Sequence, residues 1–154
     1  MDFTFEVLNN TRRFFKNFIE NTSLEDLNKI PKGFNNNVIW NIGHIVVTGQ
    51  LLAYKLSGLP LMIDDVLVAN YMKGTRPERA VSQAEVDEIK DLLFATVKQT
   101  EADYKDKKFV NFQEYTVSTT GNTLTDIDNA LEFILFHEGM HLGYVMALLR
   151  AIKN

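Results

Sequence analysis

The chain has 154 residues, 45% of them apolar and 23% charged, with no cysteine and a formal charge of −4, the size and composition of one globular domain over residues 1–154. The lack of cysteine excludes a disulfide framework, a CxxC zinc or redox site, a thiolate nucleophile and covalent haem attachment. With 20 carboxylates against 16 Lys and Arg no nucleic-acid partner is expected, and no apolar run reaches the roughly 18–20 residues of a membrane span.

The first residues, MDFTFEVLNNTRR, lack the basic-then-apolar order of a signal peptide, so a cytoplasmic protein is expected. Phe3, Val7, Phe14 and Phe18, with Leu8, Phe15 and Ile19 beside them, form an apolar stripe that predicts a first long helix of about five turns. A short turn of helix capped by Ser23 is expected next, ending before Pro31. Val38 to Leu56 is apolar on nearly every side and reads as the second long helix, stopped by Gly58 and Pro60. Leu59 to Val81 reads as a long crossover with one short helix around Asp64 to Tyr71. Ser82-Gln83-Ala84-Glu85 is a capping box, and Val86, Ile89, Leu92, Leu93, Val97 and Tyr104 carry a third long helix to about Asp106. Phe109 to Gly121 suits an extended segment or hairpin. The last helix is expected to start at Thr123 or Thr125 and run to about Ile152. Four long amphipathic helices, a long crossover between the second and third, and a short irregular or extended segment before the fourth predict an all-α four-helix bundle.

The chain has three histidines, and their positions carry most of the functional signal. His137 and His141 stand four apart on the last helix, where two imidazoles can share a metal ion. At about 100° per residue both point along the stripe of Ile127, Ile134, Val145 and Leu148, into the bundle. A buried imidazole needs partners for both ring nitrogens, so a metal or a polar network is required. His44 lies mid-way along the second helix on the face of Trp40, Thr48 and Leu51. Together the three predict a His₃ centre with an open fourth position.

His137-Glu138-Gly139-Met140-His141 also matches H-E-x-x-H. A metalloprotease reading is poorly supported, because no histidine follows His141. Glu138 falls on the inward side and is expected to act as a general base, as a partner of a metal ligand, or as the acid that pairs a buried cation.

Trp40-Asn41-Ile42-Gly43-His44-Ile45, Gly74-Thr75-Arg76-Pro77 before a Ser-capped helix, and Leu135-Phe136-His137-Glu138-Gly139-Met140-His141 resemble the DinB-like superfamily. That family includes bacillithiol S-transferases of the YfiT type and the metal-binding domain of mycothiol-dependent maleylpyruvate isomerase. The resemblance covers nearly the whole chain. It implies a four-helix bundle in which His44, His137 and His141 bind one divalent ion, nickel or zinc, often in a homodimer. Many relatives carry a glycine and then a glutamine shortly after the last histidine; here Gly143 is kept and Tyr144 replaces the glutamine.

The expected function is a metal-dependent transferase or isomerase using a small thiol cosubstrate, since a bound divalent cation deprotonates a coordinating thiol and the chain has no thiol of its own. A metal-dependent hydrolase with Glu138 as base, and a non-catalytic, stress-associated metal-binding protein, are the alternatives. Tyr71, Met72 and Tyr115 are expected to wall the substrate pocket. A second helix apolar on all sides must be buried on more than one, which predicts a homodimer unless the Leu59 to Val81 connection covers it.

Overall fold

The computed structural model describes residues 1–153. Its elements in chain order are α1 (Asp2–Glu20), α2 (Leu24–Asn28), α3 (Val38–Gln50) continued by a π-helical turn (Leu51–Lys55), α4 (Asp65–Tyr71), α5 (Gln83–Lys105), the two-residue strands β1 (Tyr115–Thr116) and β2 (Thr123–Leu124), and α6 (Ile127–Lys153). The four long helices close a bundle in which α1 packs on α5 and α6, and α3 packs on the same two. The all-α architecture, the long crossover and the short hairpin before the last helix follow the sequence reading.

Side-chain caps fix most of the helix starts. Ser23, Asn37, Asp64 and Ser82 each accept a hydrogen bond from a backbone N–H of the first turn, satisfying donors that have no partner within the helix. The last helix is the exception to the expected capping. It begins at Ile127, and Asp126, rather than Thr123 or Thr125, accepts from the Asn129 N–H, because Thr123 pairs with Thr116 in the β1–β2 ladder.

The stripe assigned to α1 is displaced by one step. Phe3 and Phe14 are 73% and 55% exposed, while Phe5, Leu8, Arg12, Phe15 and Ile19 form the buried face. Two apolar stripes compete on this helix, and the one that contains Arg12 turns inward because a buried carboxylate awaits it on α6.

Every residue of α3 from Val38 to Val47 is buried. It is covered by α2, α4, α5 and α6 of the same chain, so the apolar surface of this helix requires no second copy. After Gln50 the wider π turn carries Leu52, Ala53 and Tyr54 into a second part of the core with Phe5, Leu8, Val97 and Leu131. Gly58, at φ +70°, provides the left-handed residue that ends this run. No helix among the described residues is long and apolar enough to cross a membrane.

Candidate metal centre

α3 and α6 lie side by side and bring His44, His137 and His141 together. One ring nitrogen from each can be chosen so that all lie within 4.8 Å of one another. The ring centroids are 4.5 Å apart for His137 and His141, 4.9 Å for His44 and His141, and 5.1 Å for His44 and His137. All three histidines singled out in the sequence therefore meet at one point.

The protein sets which nitrogen two of them present. His44 Nδ1 lies 2.7 Å from the Tyr71 carbonyl oxygen, an acceptor only, so Nδ1 carries the proton and Nε2 keeps its lone pair. His141 Nδ1 lies 2.7 Å from Asn41 Oδ1. The Asn41 amide donates through Nδ2 to the Asn37 carbonyl and to Asn36 Oδ1, each at 2.8 Å, which turns its oxygen toward His141 and makes that imidazole the donor. Asn41 is a partner that sequence reading missed; its signal was its place about one helical turn before His44 on a helix that is apolar on nearly every side. This is the arrangement in which a ligand imidazole donates its far N–H to a carbonyl or amide oxygen and offers the other nitrogen to the ion. A stacked indole backs His44: the Trp40 ring lies 4.7 Å from it at an interplanar angle of 11°.

Burial keeps the cluster neutral. It lowers the pKa of His137 to about 3, reinforced by the neighbouring His141 and His44, and that of His141 to about 4, reinforced by His44. Burial also lowers His44, with the bond to Tyr71 opposing. At neutral pH the cluster thus consists of three uncharged imidazoles in the protonation state a divalent ion needs. The donor set fits such an ion.

Glu138 takes a different place. It is fully buried, and both of its carboxylate oxygens face Arg12, whose Nη2 donates to Oε1 at 2.7 Å and whose Nε lies 3.1 and 3.3 Å from the two oxygens. Arg12 Nη1 donates to the Leu93 carbonyl and to Thr96 Oγ1, so the guanidinium ties α1, α5 and α6 together. Burial pushes the Glu138 pKa up, and the Arg12 charge opposes it. The metal-competent cluster forms without Glu138. Of the three roles expected of this residue, the geometry matches the acid that pairs a buried cation. Arg12 was legible as the one charged residue on an otherwise apolar face.

A cavity of about 220 Å³ opens beside His44 and His137. Thr48, Leu52, Met72, Tyr115 and Phe133 line it, and Lys73 and Ser118, hydrogen-bonded to each other, also face it. Met72 and Tyr115 thus stand where a pocket wall was expected. Tyr71 does not: it lies behind His44 and faces a separate cavity of about 770 Å³ with Arg76, Arg79 and Glu85.

The profile of the DinB superfamily matches residues 8–145. The chain belongs to the DinB superfamily. Among solved structures, a conserved protein from Enterococcus faecalis has this DinB fold with a TM-score of 0.65 at 14% identity, over 99% of this chain and 96% of that one. No functionally curated protein matches this DinB chain in sequence. Membership and the three adjacent histidines are compatible with metal binding.

Proposed function

We propose that this DinB protein holds one divalent ion, nickel or zinc, through His44, His137 and His141, and uses it as a transferase or isomerase acting with a small thiol. The observation that carries the reading is the convergence of three neutral imidazoles beside a cavity, two of them with their Nδ1 protons already engaged. An ion held by three imidazoles supplies Lewis acidity to a thiol at its open position.

The chain's own groups do the rest. Leu52, Met72 and Phe133 exclude water from the substrate's apolar part, and Lys73 offers a positive charge at the cavity wall. No cysteine competes for the ion. The hydrolytic alternative has less support, because its candidate base Glu138 is fully buried and paired with Arg12.

The test is spectroscopic. Cobalt-loaded protein should bind one equivalent and change its visible absorption when a low-molecular-weight thiol is added. Full cobalt occupancy with no change at millimolar thiol overturns the thiol reading, and no cobalt uptake overturns the metal centre.

We further infer a homodimer, formed by α6 rather than by α3. Phe136, Met140 and Met146 are exposed on its outward side, with exposed Glu132 and Arg150 at the two ends. Glu132 and Arg150 are equidistant from position 141, as are Phe136 and Met146, so an antiparallel copy sets each against its complement. Light scattering that returns a monomer mass at micromolar protein refutes this.

A further inference from the structure

Gly43 precedes His44 in the middle of α3, where a glycine weakens a helix relative to alanine. The structure shows what occupies the missing side chain's place. A Cβ at position 43 would lie 2.5, 2.7 and 2.9 Å from Cδ1, Cε1 and Cγ of the Tyr71 ring, closer than non-bonded carbons approach, so the ring would have to move. The other helical glycines near the centre differ, since a Cβ at Gly139 or Gly143 meets nothing within 4 Å.

Tyr71 is the last residue of α4. Its ring rests on the bare backbone of Gly43, its hydroxyl donates to Glu85 Oε1 at 2.7 Å, and its carbonyl is one of the terminal helix acceptors with no partner inside the helix. That carbonyl receives the His44 Nδ1 proton at 2.7 Å. The negative end of the α4 dipole points the same way and favours the N–H there.

We propose that Gly43 and Tyr71 are positioning residues for the metal centre: the bare α3 backbone seats the Tyr71 ring, and that seat holds the α4 carbonyl on His44 Nδ1, leaving Nε2 as the ligand nitrogen. The inference rests on the metal-centre reading for its purpose, while its geometry belongs to the metal-free chain. α4 and the crossover are thereby part of the site although they contribute no ligand.

The experiment uses the full chain. Long-range ¹H–¹⁵N NMR of the metal-free protein at neutral pH reports the His44 tautomer, and competition against a chromogenic chelator reports zinc affinity. The wild type should show the proton on Nδ1. Gly43→Ala should lose that signature and bind zinc about 10–100-fold more weakly, the usual effect of losing an outer partner of a ligand. Gly139→Ala, between two ligands on α6 but with open space at its Cβ, should keep the wild-type tautomer and affinity. If Gly43→Ala does not fold, Tyr71→Leu, which keeps apolar bulk but not the ring, should show the same two losses. A wild-type His44 protonated on Nε2, or wild-type affinity in Gly43→Ala or Tyr71→Leu, overturns the proposal. A wild type that binds no zinc yet shows the Nδ1 tautomer, lost in Gly43→Ala, refutes the metal reading and leaves the positioning in place.

Discussion

Replacing Glu138 by Gln separates a structural carboxylate from a catalytic one. Arg12 is 3% exposed and Glu138 is 0% exposed, so the substitution leaves a buried guanidinium whose Nη1 keeps the Leu93 carbonyl and Thr96, but whose Nε and Nη2 lose their counter-charge. The amide still offers one oxygen, yet its NH₂ opposes donors. Breaking one side of a buried pair costs about 3–5 kcal/mol, a large part of the 5–15 kcal/mol typical of whole domains. At about 2–4 °C per kcal/mol for a chain of this size, Tm should fall by about 6–20 °C. Urea denaturation and calorimetry of metal-free Glu138→Gln measure this directly. The double variant Arg12→Met/Glu138→Leu should recover most of the loss, because matched apolar replacement of a buried pair is often neutral or stabilising. A Glu138→Gln protein with unchanged stability and abolished turnover would refute the structural assignment and restore Glu138 as a base.

Each of His44→Ala, His137→Ala and His141→Ala should reduce bound nickel or zinc to well below one equivalent by elemental analysis. Because the chain's single tryptophan stacks on His44, nickel should quench Trp40 fluorescence in the wild type and not in His137→Ala. The folded pKa values of His137 and His141, about 3 and about 4, lie below the unfolded value of about 6.5. The unfolded chain therefore binds more protons, and stability present above pH ~6.5 is lost as pH falls toward these values, by up to ~1.4 kcal/mol per pH unit for each histidine. Tm of the metal-free protein against pH tests this, and a flat profile from pH 6.5 to 5 contradicts it. Tyr54→Phe should cost about 1.5–3 kcal/mol in urea denaturation, since the Tyr54 hydroxyl donates at 2.6 Å to buried Asp103. Burial alone would raise the pKa of Asp103, but bonds from Lys108, Tyr54 and Gln99 hold it below the usual carboxylate range.

The histidine triad was readable because it depends on local helical arithmetic. His137 and His141 share a turn, and His44 has only to lie on the inward side of a helix that is buried all round. Tyr71 was read as a pocket wall, because its contact with His44 is made by a backbone carbonyl that no side-chain pattern reveals. Glu138 was placed inward correctly, but several neighbours share that side, and choosing between the histidines and α1 required knowing that Arg12 arrives there. The same missing partner explains the displaced α1 stripe: Phe3, Phe14 and Phe18 pointed to one side of the helix, and nothing local shows that Arg12 turns the other side inward to meet Glu138. The apolar outer side of α3 needs no second copy for a related reason, since α2 and α4, short elements of weak periodicity, cover it.

The π turn at Leu51–Lys55 makes the second long helix two registers joined end to end. A wider turn accommodates one residue more than an α-helical continuation, which delays everything downstream by about 100° of rotation. The His44 half faces the other two histidines, while the Tyr54 half faces Asp103 on α5. Deleting one residue inside the turn would return the helix to a single phase, leaving His44 where it is and swinging Leu52 off the cavity wall and Tyr54 off its carboxylate. The placement of His44 and the pocket lining can thus drift independently along one helix, so that a common histidine cluster can be paired with different pockets.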